Sequence, residues 1–290
     1  MISNVKINNL GYAQKQRLLY IESIAYWEGG VGRSRIANVF GISENHITRD
    51  FTLYRKAYPK NLDYDVSSRT YRPGDKFKTK LSNGEPEEYL SLLRTYVETK
   101  NSTIMPTISE TVNAAGIPVI NYSLHPNILK ELTRAICSKQ SLMVQYQSMK
   151  ESDPYVRNIW PHTLIFSGYR WHVRVFDEDK SIYTDLVLHR IILTTPNYLE
   201  TRELPIDKEF ECIKKINICP NEKLSTSQKI AIAQEYGMIQ VDKNWVWKVK
   251  IRECLIPYFL YWLRLDTVNG NMYISLSDKS IRENYSFSNK

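Results

Sequence analysis

The 290-residue chain holds only four cysteines, Cys137, Cys212, Cys219 and Cys254, and none form a C-x-x-C pair. That scatter indicates neither a zinc knuckle nor a disulfide framework. No run reaches 18 consecutive apolar residues, the minimum for a membrane-spanning helix. The opening "MISNVKINNLGYAQKQRLL" lacks the basic-then-apolar layout of a secretory leader. A reduced, cytoplasmic setting with no membrane partner is the expectation. Also missing are a phosphate-cradling glycine loop, H-E-x-x-H and G-x-S-x-G. The five histidines, at 46, 125, 162, 172 and 189, are dispersed and no carboxylate obviously completes a catalytic set with them. The chain therefore reads as a non-enzyme, with no catalytic residues, metal site or cofactor.

What is present is an ordinary globular composition, 42% hydrophobic and 24% charged, long enough for two or three compact domains. The charge is unevenly placed. Residues 1–80 carry 14 Lys+Arg against 7 Asp+Glu, a net of +7; the whole chain is +8, so residues 81–290 net only +1. A basic N-terminal quarter suggests a nucleic-acid-binding module joined to something else.

Residues 12–27 place Leu18, Leu19, Ile21, Ile24, Ala25 and Trp27 at helical spacing, and Gly29-Gly30 end that helix. In the following "SRIANVFGISENHITRDFTLYRKAYP", Ala37, Gly41, Ile42 and Ile47 have the spacing of a helix-turn-helix. Ser43 suits the N-cap of the second helix and Glu44 its first turn. On that helix Ile47, Phe51, Tyr54 and Tyr58 share one face, while Asn45, Arg49, Thr52 and Lys56 share the other. Asn can read adenine, Arg can read guanine, and Thr and Lys can hold phosphates or methyl groups. "LDYDVSSRTYRPG" then alternates and turns as a β-hairpin, which makes the module a winged helix. The DNA-contacting set is Arg35, Ser43, Asn45, His46, Thr48, Arg49, Thr52 and Lys56, with Ser68 and Arg69 on the wing.

Amphipathic helices at 85–99 and in "HPNILKELTRAICSKQ" follow, read as a linker that holds subunits together. A helix-turn-helix monomer reads too few base pairs, so a homodimer on an inverted repeat of double-stranded DNA is expected. From Leu142 short strands take over, suggesting a small, strongly bent β-barrel. In "GYRWHVRVF" Trp171, Val173 and Val175 share one face; Arg170, His172 and Arg174 share the other, about 6.8 Å apart. Such a row is either a solvated, edge-protecting face or a seat for an anion. Trp171 is read as core and Arg170 as solvent-exposed.

The run "WPHTLIFSGYRWHVRVFDEDKSIYTDLVLHRI" resembles a WYL domain, an SH3- or Sm-like β-barrel, with Trp171-His172-Val173 at the name-giving position. The order winged helix, helical linker, WYL domain and C-terminal extension is similar to WYL transcriptional regulators. The P-H-x-L and R-W-H-V-R runs most resemble the BrxR and CapW type beside phage-defence islands. The resemblance implies a sensor for an anionic ligand, a nucleotide or nucleic-acid end, with Tyr146, Ser148, His162, His172, Arg174 and Arg190 as its contacts. The alternative for Arg174 and Arg190 is pairing with nearby acids such as Asp185.

The last stretch alternates Trp245, Trp247, Val249 and Ile251 against Lys248, Lys250 and Arg252, with core packing as the reading for the tryptophans. The expected fold class is α+β and multidomain. A winged helix-turn-helix spans 1–80, a helical linker 81–134, a WYL β-barrel 135–196 and an α/β extension 197–290. The expected function is a dimeric transcriptional repressor of a phage-defence locus. Its rival is an accessory subunit of a defence or repair complex that binds nucleic acid without regulating a promoter.

Overall fold

The computed structural model describes residues 10–99, 112–118, 123–197 and 203–287. The chain divides into two compact units, one through residue 119 and one from residue 120.

In the first unit α1 (Tyr12–Glu28) buries Leu18, Ile21, Ile24 and Ala25 and stops at Gly29, whose φ of 77° is left-handed. Helix α2 (Arg33–Phe40) turns through Gly41, φ 61°, into α3 (Glu44–Ala57). Ile47, Phe51 and Tyr54 of α3 are fully buried against α1 and α2. The hairpin β2 (Leu62–Asp65) and β3 (Thr70–Pro73) gains a third strand, β1 (Val31–Gly32), in the order β1-β3-β2. Helix α4 (Pro86–Thr99), expected in the linker, instead sends Tyr89 and Leu93 into this same core.

The reason is a buried acid. Glu22, wholly buried in α1, accepts hydrogen bonds from the backbone N–H groups of Lys80, Leu81 and Ser82 at 2.8–2.9 Å. It also accepts the hydroxyl proton of Tyr54 at 2.5 Å. Asn61 adds bonds to the backbone of Lys78. Residues 78–82 are thereby tied down, and the chain beyond them stays with the winged helix.

The second unit begins with α5 (Pro126–Ser138), started by Pro126 at its first turn. Strands β4 (Ser141–Tyr146), β5 (Tyr155–Phe166), β6 (Trp171–Asp177), β7 (Ile182–Val187) and β8 (Ile191–Asn197) pair antiparallel in the order β7-β6-β5-β4-β8. Among the described residues the edge strands β7 and β8 do not pair, so the expected barrel is an open five-stranded sheet. Pro161 sits buried inside β5, which the register shift between Pro161 and Thr163 permits, since a bulge removes the need for its missing N–H. Ile128, Leu132 and Ala135 of α5 cover one sheet face, over Val144, Ile159, Val173 and Val175.

A short α6 (Lys208–Glu211) leads to a second sheet of β9 (Ile213–Pro220), β10 (Ile239–Val241), β11 (Asn244–Arg252) and, after two helices, β12 (Ile274–Leu276). Its order is β10-β11-β9-β12. Helices α7 (Thr226–Glu235) and α8 (Ile256–Trp262) supply Ile232, Ile256 and Leu260 to a core shared with Ile216 and Ile218. Trp245 and Trp247 pack against that core.

Candidate nucleic-acid interface and ligand cleft

Helix α3 presents Asn45, His46, Arg49, Thr52 and Lys56 to solvent, opposite its buried face. Asn45, Arg49 and Lys56 make no side-chain bond among the described residues, which leaves their donors available. Other members of the expected set are engaged locally. The Thr48 and Thr52 hydroxyls bond back to the carbonyls of Glu44 and Thr48. Ser43 has N-cap backbone geometry without a side-chain cap bond. Arg35 does not extend outward: its guanidinium forks onto Glu28 at 2.5 and 3.0 Å, and its side chain is only 13% exposed. At the wing tip Asp65 receives the hydroxyls of Ser67 and Ser68, so Ser68 holds the turn. Arg69 stands exposed beside it with φ 54°.

The strand β6 departs from its expected pattern. Val173 and Val175 are core, but Trp171 is 41% exposed and rests on Phe166 at 5.1 Å. His172 and Arg174, expected to face a ligand, are 2% and 3% exposed. Their face is covered by residues 207–211 and by Cys254 and Tyr258, elements that no periodicity in β6 could announce.

Arg174 is fully committed to acids. Its Nε and Nη2 fork onto Asp207 at 2.6 and 2.9 Å, Nη1 reaches Asp185 at 3.1 Å and Nη2 reaches Glu209 at 3.0 Å. Asp207 also caps α6 through the Phe210 N–H and meets His162 Nε2 at 3.1 Å. Asp185 accepts the Tyr258 hydroxyl at 2.9 Å. Burial pulls the Arg174 pKa down, but the bonds and charges of these acids override it and raise it. Burial likewise raises Asp185 against the pull of Arg174. At Asp207 the burial effect is outweighed by Arg174, and its pKa falls. Arg174 is a clasp between β6 and the C-terminal segment, not an open seat for an anion.

Beside this clasp lies an open cleft of about 710 Å³. Of the expected contacts it is lined by Tyr146, His172, Arg174 and Arg190; His162 and Ser148 lie outside it. The Tyr146 hydroxyl is occupied by the Val187 N–H, and the Ser148 hydroxyl by the Lys150 N–H. Three further cation and aromatic groups appear that the sequence reading did not select: Lys150, Arg170, and a wall of Tyr169, Tyr258, Tyr261 and Phe287. Arg170 was read as solvent-exposed, yet it lies over the Tyr169 ring at 5.1 Å and donates to His172 Nε2 at 3.3 Å. Lys150, Arg170 and Arg190 have no acidic partner among the described residues, while the two acids lining the cleft, Asp185 and Glu209, are held by Arg174. The cleft mouth is therefore cationic. Burial first, then Arg170, Arg190 and His189, pushes the His172 pKa down to about 4, so its ring is neutral at pH 7.

A winged helix with an unpartnered polar recognition face defines the class: a DNA-binding transcription regulator. The chain belongs to the WYL-domain regulators of the BrxR and CapW type. It matches the BrxR transcriptional regulator winged helix-turn-helix domain over residues 13–95, the WYL domain over 127–195 and the BrxR C-terminal dimerization domain over 213–272. Among curated proteins it is similar to the DNA-binding transcriptional repressor CapW of Escherichia coli (strain KTE188), 28% identical over 254 residues, covering 88% of this chain and 84% of that one. CapW of Pseudomonas aeruginosa is 28% identical over 260 residues, covering 88% and 84%. CapW of Stenotrophomonas maltophilia is 25% identical over 264 residues, covering 89% and 85%. The proteasome accessory factor PafBC of Arthrobacter aurescens aligns over 93% of this chain and 46% of that chain at 16% identity, with a TM-score of 0.27, too low to compare folds.

Proposed function

We propose that this chain is a transcriptional repressor that binds an inverted-repeat operator in double-stranded DNA as a homodimer, at a phage-defence locus. An anionic ligand, a nucleotide or short nucleic acid, binds at the WYL cleft and modulates operator binding. The observation that carries the first part is the free face of α3, where Asn45, Arg49 and Lys56 project without partners opposite a fully buried Ile47-Phe51-Tyr54 face. Repression and dimerisation are supported by the CapW relatives, named as repressors, and by the match to a dimerization domain. The cationic mouth formed by Lys150, Arg170 and Arg190 supports an anionic ligand. A ligand acts only through its different affinity for two states of the protein.

A gel-shift titration on the DNA upstream of the chain's own gene tests the reading. Arg49→Ala is expected to lower operator affinity about 5- to 150-fold, the range of a bidentate base contact. Unchanged affinity would remove Arg49 from the recognition face. Equal binding to unrelated DNA would favour the accessory-subunit role instead.

A further inference from the structure

We propose that the C-terminal dimerization domain completes the ligand seat, with Tyr258 and Tyr261 of α8 stacking a planar base while Arg170 and Arg190 hold its phosphate. This rests on the reading that the WYL cleft takes an anionic ligand. It adds that the ligand must carry an aromatic ring, and that its binding site spans the sensor sheet and the domain that pairs subunits.

The observations are geometric. Tyr258 and Tyr261 lie within the span matched as the dimerization domain, yet both line the cleft. Tyr261 is half exposed, and its ring centroid is 6.4 Å from Tyr169 and 6.2 Å from Phe287. Exposed aromatic rings gathered beside unpaired arginines form a surface that suits a base and a phosphate together, because every base offers a π-face and arginine a planar fork. Charge alone would need no such wall.

His172 gives a second, independent pointer. Its Nε2 accepts from Arg170, which in the neutral ring puts the proton on Nδ1, and that buried Nδ1 has no hydrogen-bond partner. An orphaned buried donor is a standing cost that an acceptor on an entering base would remove. The Tyr258 ring lies over this imidazole, centroids 4.9 Å apart. A base that reaches Nδ1 must therefore shift Tyr258, and with it α8 and its hydroxyl bond to Asp185. Occupancy of the cleft thus moves an element of the dimerization domain.

The test is a calorimetric titration of the full chain with a 5′-phosphorylated thymidine dinucleotide and with its abasic counterpart, which keeps the charge and lacks the bases. Wild type is expected to prefer the base-bearing ligand by about tenfold or more, the scale of one stacked base. Tyr261→Leu, at an exposed position that folding tolerates, is expected to erase that preference while leaving abasic affinity unchanged. Arg190→Gln is expected to weaken both ligands alike. Equal wild-type affinity for the two ligands, or a preference that survives in Tyr261→Leu, overturns the stacking wall and leaves the anion site standing. Binding of neither ligand overturns the anion site as well. A Tyr261→Leu protein that sediments as a monomer where wild type is a dimer overturns the proposal by assigning the wall to a subunit contact.

Discussion

At the scale of single residues, Arg174 and His172 carry the largest expected effects. Removing one partner from a buried ion pair leaves its acids uncompensated, at a cost of about 3–5 kcal/mol. Arg174→Ala strands Asp207 and Asp185, so it is expected to lower unfolding stability by that amount in denaturant titration. A loss under about 1 kcal/mol would show that Arg174 is not the clasp. His172 sets a pH dependence. Its folded pKa, about 4, lies below the unfolded value near 6.5, so the unfolded chain takes up a proton first as pH falls. Its contribution is complete above pH 6.5 and is lost between pH 6.5 and 4, by up to about 3 kcal/mol. His172→Gln is expected to flatten that part of the profile; identical slopes in the two proteins would contradict it. The sequence made both side chains visible as a basic row, but it offered solvent and anion as equal occupants. Only Asp207 and Glu209, more than 30 residues away, decide for Arg174.

At the scale of elements, the helix-turn-helix was legible because its signals are local. Buried and exposed faces of α3 separate at the helical period, and the turn rests on a glycine whose φ of 61° disfavours any side chain. An added Cβ there would meet no atom within 4 Å, so Gly41→Ala is expected to cost only the backbone penalty, about 1–2 kcal/mol, read as a drop in melting temperature. Helix α4 was legible as a helix but not as part of the winged-helix core. Glu22 decides that, and a lone glutamate in an amphipathic helix carries no mark of burial. Glu22→Ala leaves three backbone N–H groups without their acceptor, so it is expected to cost about 3–5 kcal/mol and to expose residues 78–82 to fast hydrogen exchange.

At the scale of the whole molecule, the +7 of residues 1–80 makes operator binding salt-dependent. If Lys56 and Arg69 each neutralise one phosphate, Lys56→Gln and Arg69→Gln are each expected to reduce the slope of log affinity against log salt by about 0.9 per contact. A slope identical to wild type would take that side chain off the DNA. The sequence by itself determined the order of modules, the recognition face of α3, the concentration of charge in the first quarter and the strands of the WYL region. All of these are written in local period, spacing or composition. The tertiary structure decided that the sheet stays open, that Trp171 is exposed while Arg174 is clasped, and that the cleft is walled by aromatic rings from the C-terminal domain. These depend on which distant segment covers a sheet face, and strand periodicity specifies two faces without saying what lies over either.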